Sequence, residues 1–153
     1  MGVDKRHFVV ATAIIFNNEG KMLIAKRSEK ERVFPGRWTV PGGKLSQEDY
    51  SEIERNNAGL RYHVIEQTLN REVEEEVGLK IGEIKYLTSI THMTDDGIPS
   101  IYLSFFCDHL DGEVKLCEEL EDFAWVSLEE AKNYDLIDGI YDELVWASKA
   151  FKG

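Results

Sequence analysis

Arg71-Glu72-Val73-Glu74-Glu75-Glu76-Val77-Gly78-Leu79 is the stretch that decides how the rest of this chain is read. On a helix, positions three and four apart share a face, so Glu72, Glu75 and Glu76 project together. Leu69, Val73 and Val77 fall on a different face, an apolar stripe suited to packing against a sheet. Gly78 follows where helices commonly end in a left-handed conformation that costs glycine little. Three carboxylates on one face repel one another, and a hard cation relieves that repulsion. Oxygen-only ligation favours magnesium, manganese or calcium over zinc or copper. A solvated acidic face would contain the same glutamates. The lysines at four-residue spacing that usually accompany such a face are missing here.

A second stretch lies upstream, Gly36-Arg37-Trp38-Thr39-Val40-Pro41-Gly42-Gly43-Lys44. Pro41 fixes one backbone angle, and the two glycines after it let the chain approach a ligand closely. Together the loop and the helix resemble the Nudix box, G-x5-E-x7-R-E-U-x-E-E-x-G-U, where U is aliphatic. Arg71, Glu72, Val73, Glu75, Glu76, Gly78 and Leu79 fill its second half, and Gly43 fills its first position. The spacing between the halves departs from the pattern. Arg71 follows Gly43 by 28 positions rather than 14, so 14 extra residues lie inside the box. Counting forward from Gly43 brings Asp49, beside Glu48, to the lone glutamate position. Counting back from Arg71 brings His63 there. That position stays unassigned at this point.

Composition narrows the class. A chain of 153 residues is expected to form a single domain, 1–153, with a core large enough to need no staples. With 42% hydrophobic and 31% charged residues it reads as globular rather than disordered. A net charge of −11 argues against nucleic acid or an anionic membrane as partner. It permits an anionic nucleotide if divalent metal neutralises both sides. Cys107 and Cys117 make neither a metal cluster nor a disulfide framework. The N-terminal Met1 to His7 lacks the features of a signal peptide, and no stretch reaches transmembrane length. The expectation is a cytoplasmic protein.

Along the chain, Phe8 to Phe16 is β-branched and apolar, as a buried strand should be. Asn17 to Gly20 is a turn, and Lys21 to Arg27 returns as the second arm of a hairpin. A short strand is expected at Trp38 to Val40. A polar insertion runs from about Asp49 to Arg61, an exposed excursion beside the site. The box helix is expected over Tyr62 to Val77. Strands follow at Ile84 to Thr91, Ser100 to Leu110 and Phe123 to Val126. Ser127 with Glu130 makes a capping box. From Leu136 to Phe151, helical spacing sets Ile137, Ile140, Tyr141, Leu144, Val145 and Ser148 on one stripe. Strands around a central helix, closed by a terminal one, give an α+β fold. The resemblance implies the Nudix α/β/α sandwich, with a mixed β-sheet between helices.

The resemblance also implies an activity: hydrolysis of a nucleoside diphosphate linked to another moiety, by attack of water on a phosphorus of the pyrophosphate. Magnesium is the implied cofactor, with manganese as a substitute. The implied ligands are Glu75, Glu76, a backbone carbonyl near Gly42 or Gly43, and Glu72 as a ligand or as the base that activates water. Arg71 would hold Glu72 through a charge-assisted hydrogen bond, and Glu74 would face solvent. Glu119, in the acidic segment before Trp125, would add a further carboxylate. Arg27 and Lys44 would meet substrate phosphates. Trp125 reads as core. The four histidines show no ligand spacing.

A nucleoside triphosphate pyrophosphohydrolase is the default substrate reading. ADP-ribose, dinucleoside polyphosphates and nucleotide sugars stand beside it. Lys26-Arg27-Ser28 and Phe34 to Thr39 also resemble isopentenyl-diphosphate isomerase, but Val40-Pro41-Gly42-Gly43 stands where that enzyme needs its cysteine. A non-catalytic nucleotide-binding regulator would usually lose the box glutamates, which are kept here. The implied partner is a small-molecule nucleotide, with a homodimer compatible with the pattern.

Overall fold

The structure, a computed structural model, describes residues 3–152. Met1, Gly2 and Gly153 lie outside it, and with them the first residues of the N-terminal segment and the ends of the expected domain. Strands β1 (Phe8–Phe16), β2 (Met22–Arg27), β3 (Trp38–Thr39) and β4 (Gly42–Lys44) come first, followed by a 3-10 turn at Gln47–Asp49. Helix α1 (Val64–Val77) carries the box glutamates. Then come β5 (Lys80–Ile81), β6 (Lys85–Met93), β7 (Pro99–Asp111) and β8 (Leu120–Val126). Helices α2 (Leu128–Ala131) and α3 (Ile140–Lys152) follow them.

The strands join in one eight-stranded mixed sheet. Its centre is β1 running parallel to β7, from Phe8 opposite Ser100 to Phe16 opposite Asp108. The other named ladders are antiparallel: β4 lies on β1, β5 and β6 on β7, and β3 and β8 on β2. The expected hairpin forms only at its root, where Phe16 pairs with Met22. Beyond that pair β2 turns away to β8 and β3, while β1 takes β4 as its antiparallel neighbour. Asn17 secures the turn, its Oδ1 accepting from the Glu19 and Lys21 amides.

Side chains alternate across a strand, and β1 shows it. Ala11, Ala13 and Ile15 pack with Leu69, Val73 and Val77 of α1 on one face. Ile14 and Phe16 pack with Leu144 and Ala147 of α3 on the other. The sheet is therefore sandwiched between α1 and α3, the α/β/α arrangement expected from the sequence.

Several boundaries differ from expectation for local reasons. Helix α1 starts at Val64 because His63 is left-handed (φ 61°), which the helix cannot include. It ends at Gly78 (φ 72°), whose N–H donates to the Glu74 carbonyl. The strand expected at Trp38 to Val40 stops at Thr39, before Pro41. Helix α3 starts at Ile140 rather than Leu136, because Leu136 is held in extended form by a bridge to Trp38 and Gly139 is left-handed (φ 92°). The buried stripe of α3 includes Glu143 and Ala147, while Val145 is only half-buried. The capping box at Ser127 and Glu130 forms both of its hydrogen bonds.

Candidate active site

The site is built where β4 meets α1. Gly43 pairs with Ala11 and faces the helix, and the Glu72 carboxylate fills the place where a side chain would stand. A Cβ on Gly43 would lie 2.3 Å from the Glu72 carboxyl carbon, so any larger residue there would displace the Glu72 carboxylate. Gly42 faces the other way, pressed against the Ala11 carbonyl and Thr12. Its N–H donates to Glu76 Oε1 at 2.8 Å, tying the loop to the last turn of the helix.

Arg71 organises the helix side. Its guanidinium donates to Glu72 Oε1 and to Glu75 Oε2, both at 2.7 Å. Its Nε donates to Asp49 Oδ1. Asp49 is buried, and its second oxygen accepts from the Ser46 amide at 2.8 Å and the Thr68 hydroxyl at 3.1 Å. The lone acidic position of the box is therefore Asp49, one methylene shorter than the glutamate of the pattern. Neither Glu48 nor His63 fills it; His63 instead contacts Glu66 at 2.8 Å. The insertion consequently begins at Tyr50 rather than Asp49. Most of its residues are exposed, with Tyr50, Ile53 and Arg61 half-buried. The forward count from Gly43 offered Asp49 as one of two candidates, and the Ser46-x-x-Asp49 capping pattern that the structure forms is a local signal in its favour, but neither decides the position without the contact to Arg71.

The electrostatics are those of carboxylates forced together. Burial pushes the Glu76 pKa up to about 7, and the nearby charges of Glu72 and Glu119 add to the rise. The Gly42 N–H and Arg27 oppose it. Burial also raises Glu72, against the pull of Arg71. Glu75 and Glu74 are exposed, and Glu74 makes none of these contacts. In this arrangement Glu72 and Glu75 turn toward Arg71 and Glu76 toward Gly42. Among the described residues no group of three or more His, Cys, Asp or Glu side chains is drawn together so as to hold a metal ion.

The remaining candidates are distributed around this centre. Glu119 comes near enough to Glu76 to repel it, and it lines an open cavity of about 670 Å³ with Ser28, Glu118 and Glu121. Arg27 lies on the same side, its Nε held by the Val33 carbonyl at 2.8 Å. Lys44 stands on the opposite face of β4 from Gly43, with its ammonium 4.6 Å from the centre of the Phe8 ring. Trp125 packs against the α1 core and stacks on His109. Glu143 of α3, 5% exposed, was not singled out in the sequence, although it falls three residues after Ile140 on the buried stripe.

Comparison with known proteins agrees with this geometry. The family model described as NUDIX domain matches residues 6–145. Nucleoside triphosphatase NudI of Klebsiella pneumoniae (strain 342) is 34% identical over 133 aligned residues, covering 80% of this chain and 84% of that protein. Its counterpart in Escherichia coli (strain K12 / DH10B) is 35% identical over 136 residues with the same coverage. Among solved structures, the MutT protein of Methanosarcina mazei Go1 superposes with a TM-score of 0.70 at 25% identity, covering 99% of this chain and all of that one. The NUDIX domain of Shewanella oneidensis NrtR, solved with ADP ribose, superposes with a TM-score of 0.73 over 97% of this chain and 90% of that one. At 18% identity, that likeness is one of fold. With its box helix, its glycine loop and a family match across most of its length, this chain belongs to the Nudix hydrolase family.

Proposed function

We propose that the chain hydrolyses nucleoside triphosphates to the monophosphate and pyrophosphate, with magnesium as its metal and manganese as a substitute. Nudix hydrolases generally use divalent metals, and the curated relatives are nucleoside triphosphatases. The observation that carries the reading is the crowding of Glu72 and Glu76 around Gly42 and Gly43, with the Glu76 pKa raised to about 7. The donor set suits a hard cation, because every donor is oxygen and the clustered charge is relieved by one. Glu75, Glu76 and a carbonyl of the glycine loop would hold it. Glu75 is exposed enough to turn from Arg71 toward it. When bound, such an ion polarises phosphoryl oxygens and neutralises developing charge.

The chain's own groups supply the rest. Glu72 takes the proton from the attacking water as the new phosphorus–oxygen bond forms and the bridging oxygen leaves with pyrophosphate. Arg71 is a positioning residue that holds Glu72 at the correct angle, and Glu119 supplies a second acceptor facing Glu76. Arg27 meets the departing phosphates. Lys44 is held over Phe8, on the face of β4 away from Gly43 and the glutamates, and takes no part in this step.

The test is turnover of a nucleoside triphosphate panel with magnesium, with manganese and with excess chelator. Activity should vanish in chelator and return with either metal. Glu75→Gln and Glu76→Gln should each lower turnover about a hundredfold or more, with melting temperatures preserved. Glu74→Gln should leave it unchanged, and Glu119→Gln should fall between. Equal turnover for the Glu75 and Glu74 variants would refute the assignment.

A further inference from the structure

Strand β6 stands at an edge of the sheet. It pairs with β7, and among the described residues no other backbone group bonds to it along its far side. A free edge presents a row of amide and carbonyl groups to which another strand can add. Proteins usually protect such an edge by keeping it short, or with proline, a lysine within the strand or a bulge. β6 is nine residues long and contains no proline, and its lysine is its first residue. Its bulge is confined to Tyr86 to Thr88, after which Thr88 to Met93 run opposite Ser104 to Pro99 without a break. Tyr86, Ile90 and Met93 are exposed.

The charge pattern selects the strand that can add. Two chains of net charge −11 repel wherever carboxylates meet, so a contact between copies needs a stretch without them. No carboxylate falls between Glu83 and Asp95. The ends of the stretch carry opposite signs. Lys85 opens the strand. Asp95 and Asp96 follow it in a tight turn, where the Thr94 amide donates to the Ile98 carbonyl and the Thr94 hydroxyl accepts from the Ile98 amide. Laid antiparallel on itself, the segment sets plus against minus at both ends. A pattern that matches itself is what a two-fold contact between identical chains requires.

We propose that β6 pairs antiparallel with β6 of a second copy of this chain, joining the two sheets across a two-fold axis at Ile90. In that register the two Ile90 side chains face each other, and His92 lies opposite the partner's Thr88. Lys85 lies beside the partner's Asp95 and Asp96, and the same contact repeats at the other end. Main-chain hydrogen bonds supply the affinity, and the charges at the ends fix the register. Moving the axis to Ser89 would set Lys85 against the partner's Met93 and lose the match.

The test is sedimentation equilibrium of the full chain over a wide dilution series, with thermal melts to confirm that each variant folds. Wild type should be a dimer that dissociates on dilution. Ile90→Lys sets two like charges face to face on the axis and should weaken association about tenfold or more. Lys85 and Asp95 are exposed, so their replacement spares the core. Lys85→Glu and Asp95→Lys should each weaken association about threefold or more. The double variant, Lys85→Glu with Asp95→Lys, should recover most of that loss. Recovery of this kind separates a pairing of charges from damage to the fold. A wild type that is monomeric at every concentration, its edge left to an extended segment of some other protein, overturns the proposal. So does a dimer that none of the variants weakens, or a double variant no better than the single ones.

Discussion

Gly43 is a glycine because Glu72 stands where its side chain would be. Gly43→Ala keeps the backbone within ordinary angles but drives the carboxylate out of the loop. A displacement of that kind costs about a hundredfold in rate. Turnover should therefore fall by about that factor while the melting temperature changes little, a split that steady-state kinetics beside thermal melts would read. Asp49 has a structural debt instead. Burial alone would raise its pKa, but the Ser46 amide, Arg71 and the Thr68 hydroxyl together hold it below the ordinary value. A lowered folded-state pKa contributes stability above the unfolded value, which is lost as pH falls through the folded one. Asp49→Asn should cost about 1–3 kcal/mol at neutral pH. The gap between wild type and variant should narrow below about pH 4, as thermal melts across pH would show. The glutamates of α1 were legible in the sequence because helical spacing is strict. Asp49 was not, because the insertion leaves two ways of counting and only the buried contact with Arg71 decides between them.

At the scale of elements, the helices and long strands were readable from periodicity, and of the short strands only β3 was expected. β4 and β5 are three and two residues long, and their pairing to β1 and β7 is a tertiary fact with no local signature. The splaying of β2 from β1 was hidden for the same reason, since a turn motif reports only the root of a hairpin. Lys44 shows how this affects the site. Its face is set by the β4 register, which turns it toward Phe8 rather than toward the glutamates. The insertion after Asp49 is a surface loop closed by Arg61, whose Nε donates to the Ile53 carbonyl at 2.8 Å. Loop length costs only roughly 0.6 kcal/mol per doubling. Replacing residues 51–61 with a short glycine–serine link should thus leave the melting temperature nearly unchanged and α1 intact by circular dichroism. A large loss of helicity would mean that the loop holds α1 in place.

For the molecule as a whole, charge is the governing quantity. A chain of net charge −11 meets an anionic nucleotide against a repulsive field. Screening shortens that field to about 8 Å at physiological salt. The association rate for nucleotide should therefore rise between low and moderate salt at fixed magnesium, the reverse of a protein with a basic cleft. Stopped-flow binding across sodium chloride concentrations would check the sign. The described residues include no helix long and apolar enough to cross a membrane.

The parallel ladder of β1 on β7 has a consequence for how the protein is made. Phe8 to Phe16 is an apolar, β-branched strand whose principal partner is Ser100 to Asp108, most of the chain away in sequence. During synthesis the strand emerges long before its partner exists. It then has only one pair to β2 and a short ladder to β4. Pairings so distant in sequence are slow to close, and an exposed strand of this composition is sticky while it waits. The central strand of the finished sheet is the nascent chain's greatest aggregation hazard.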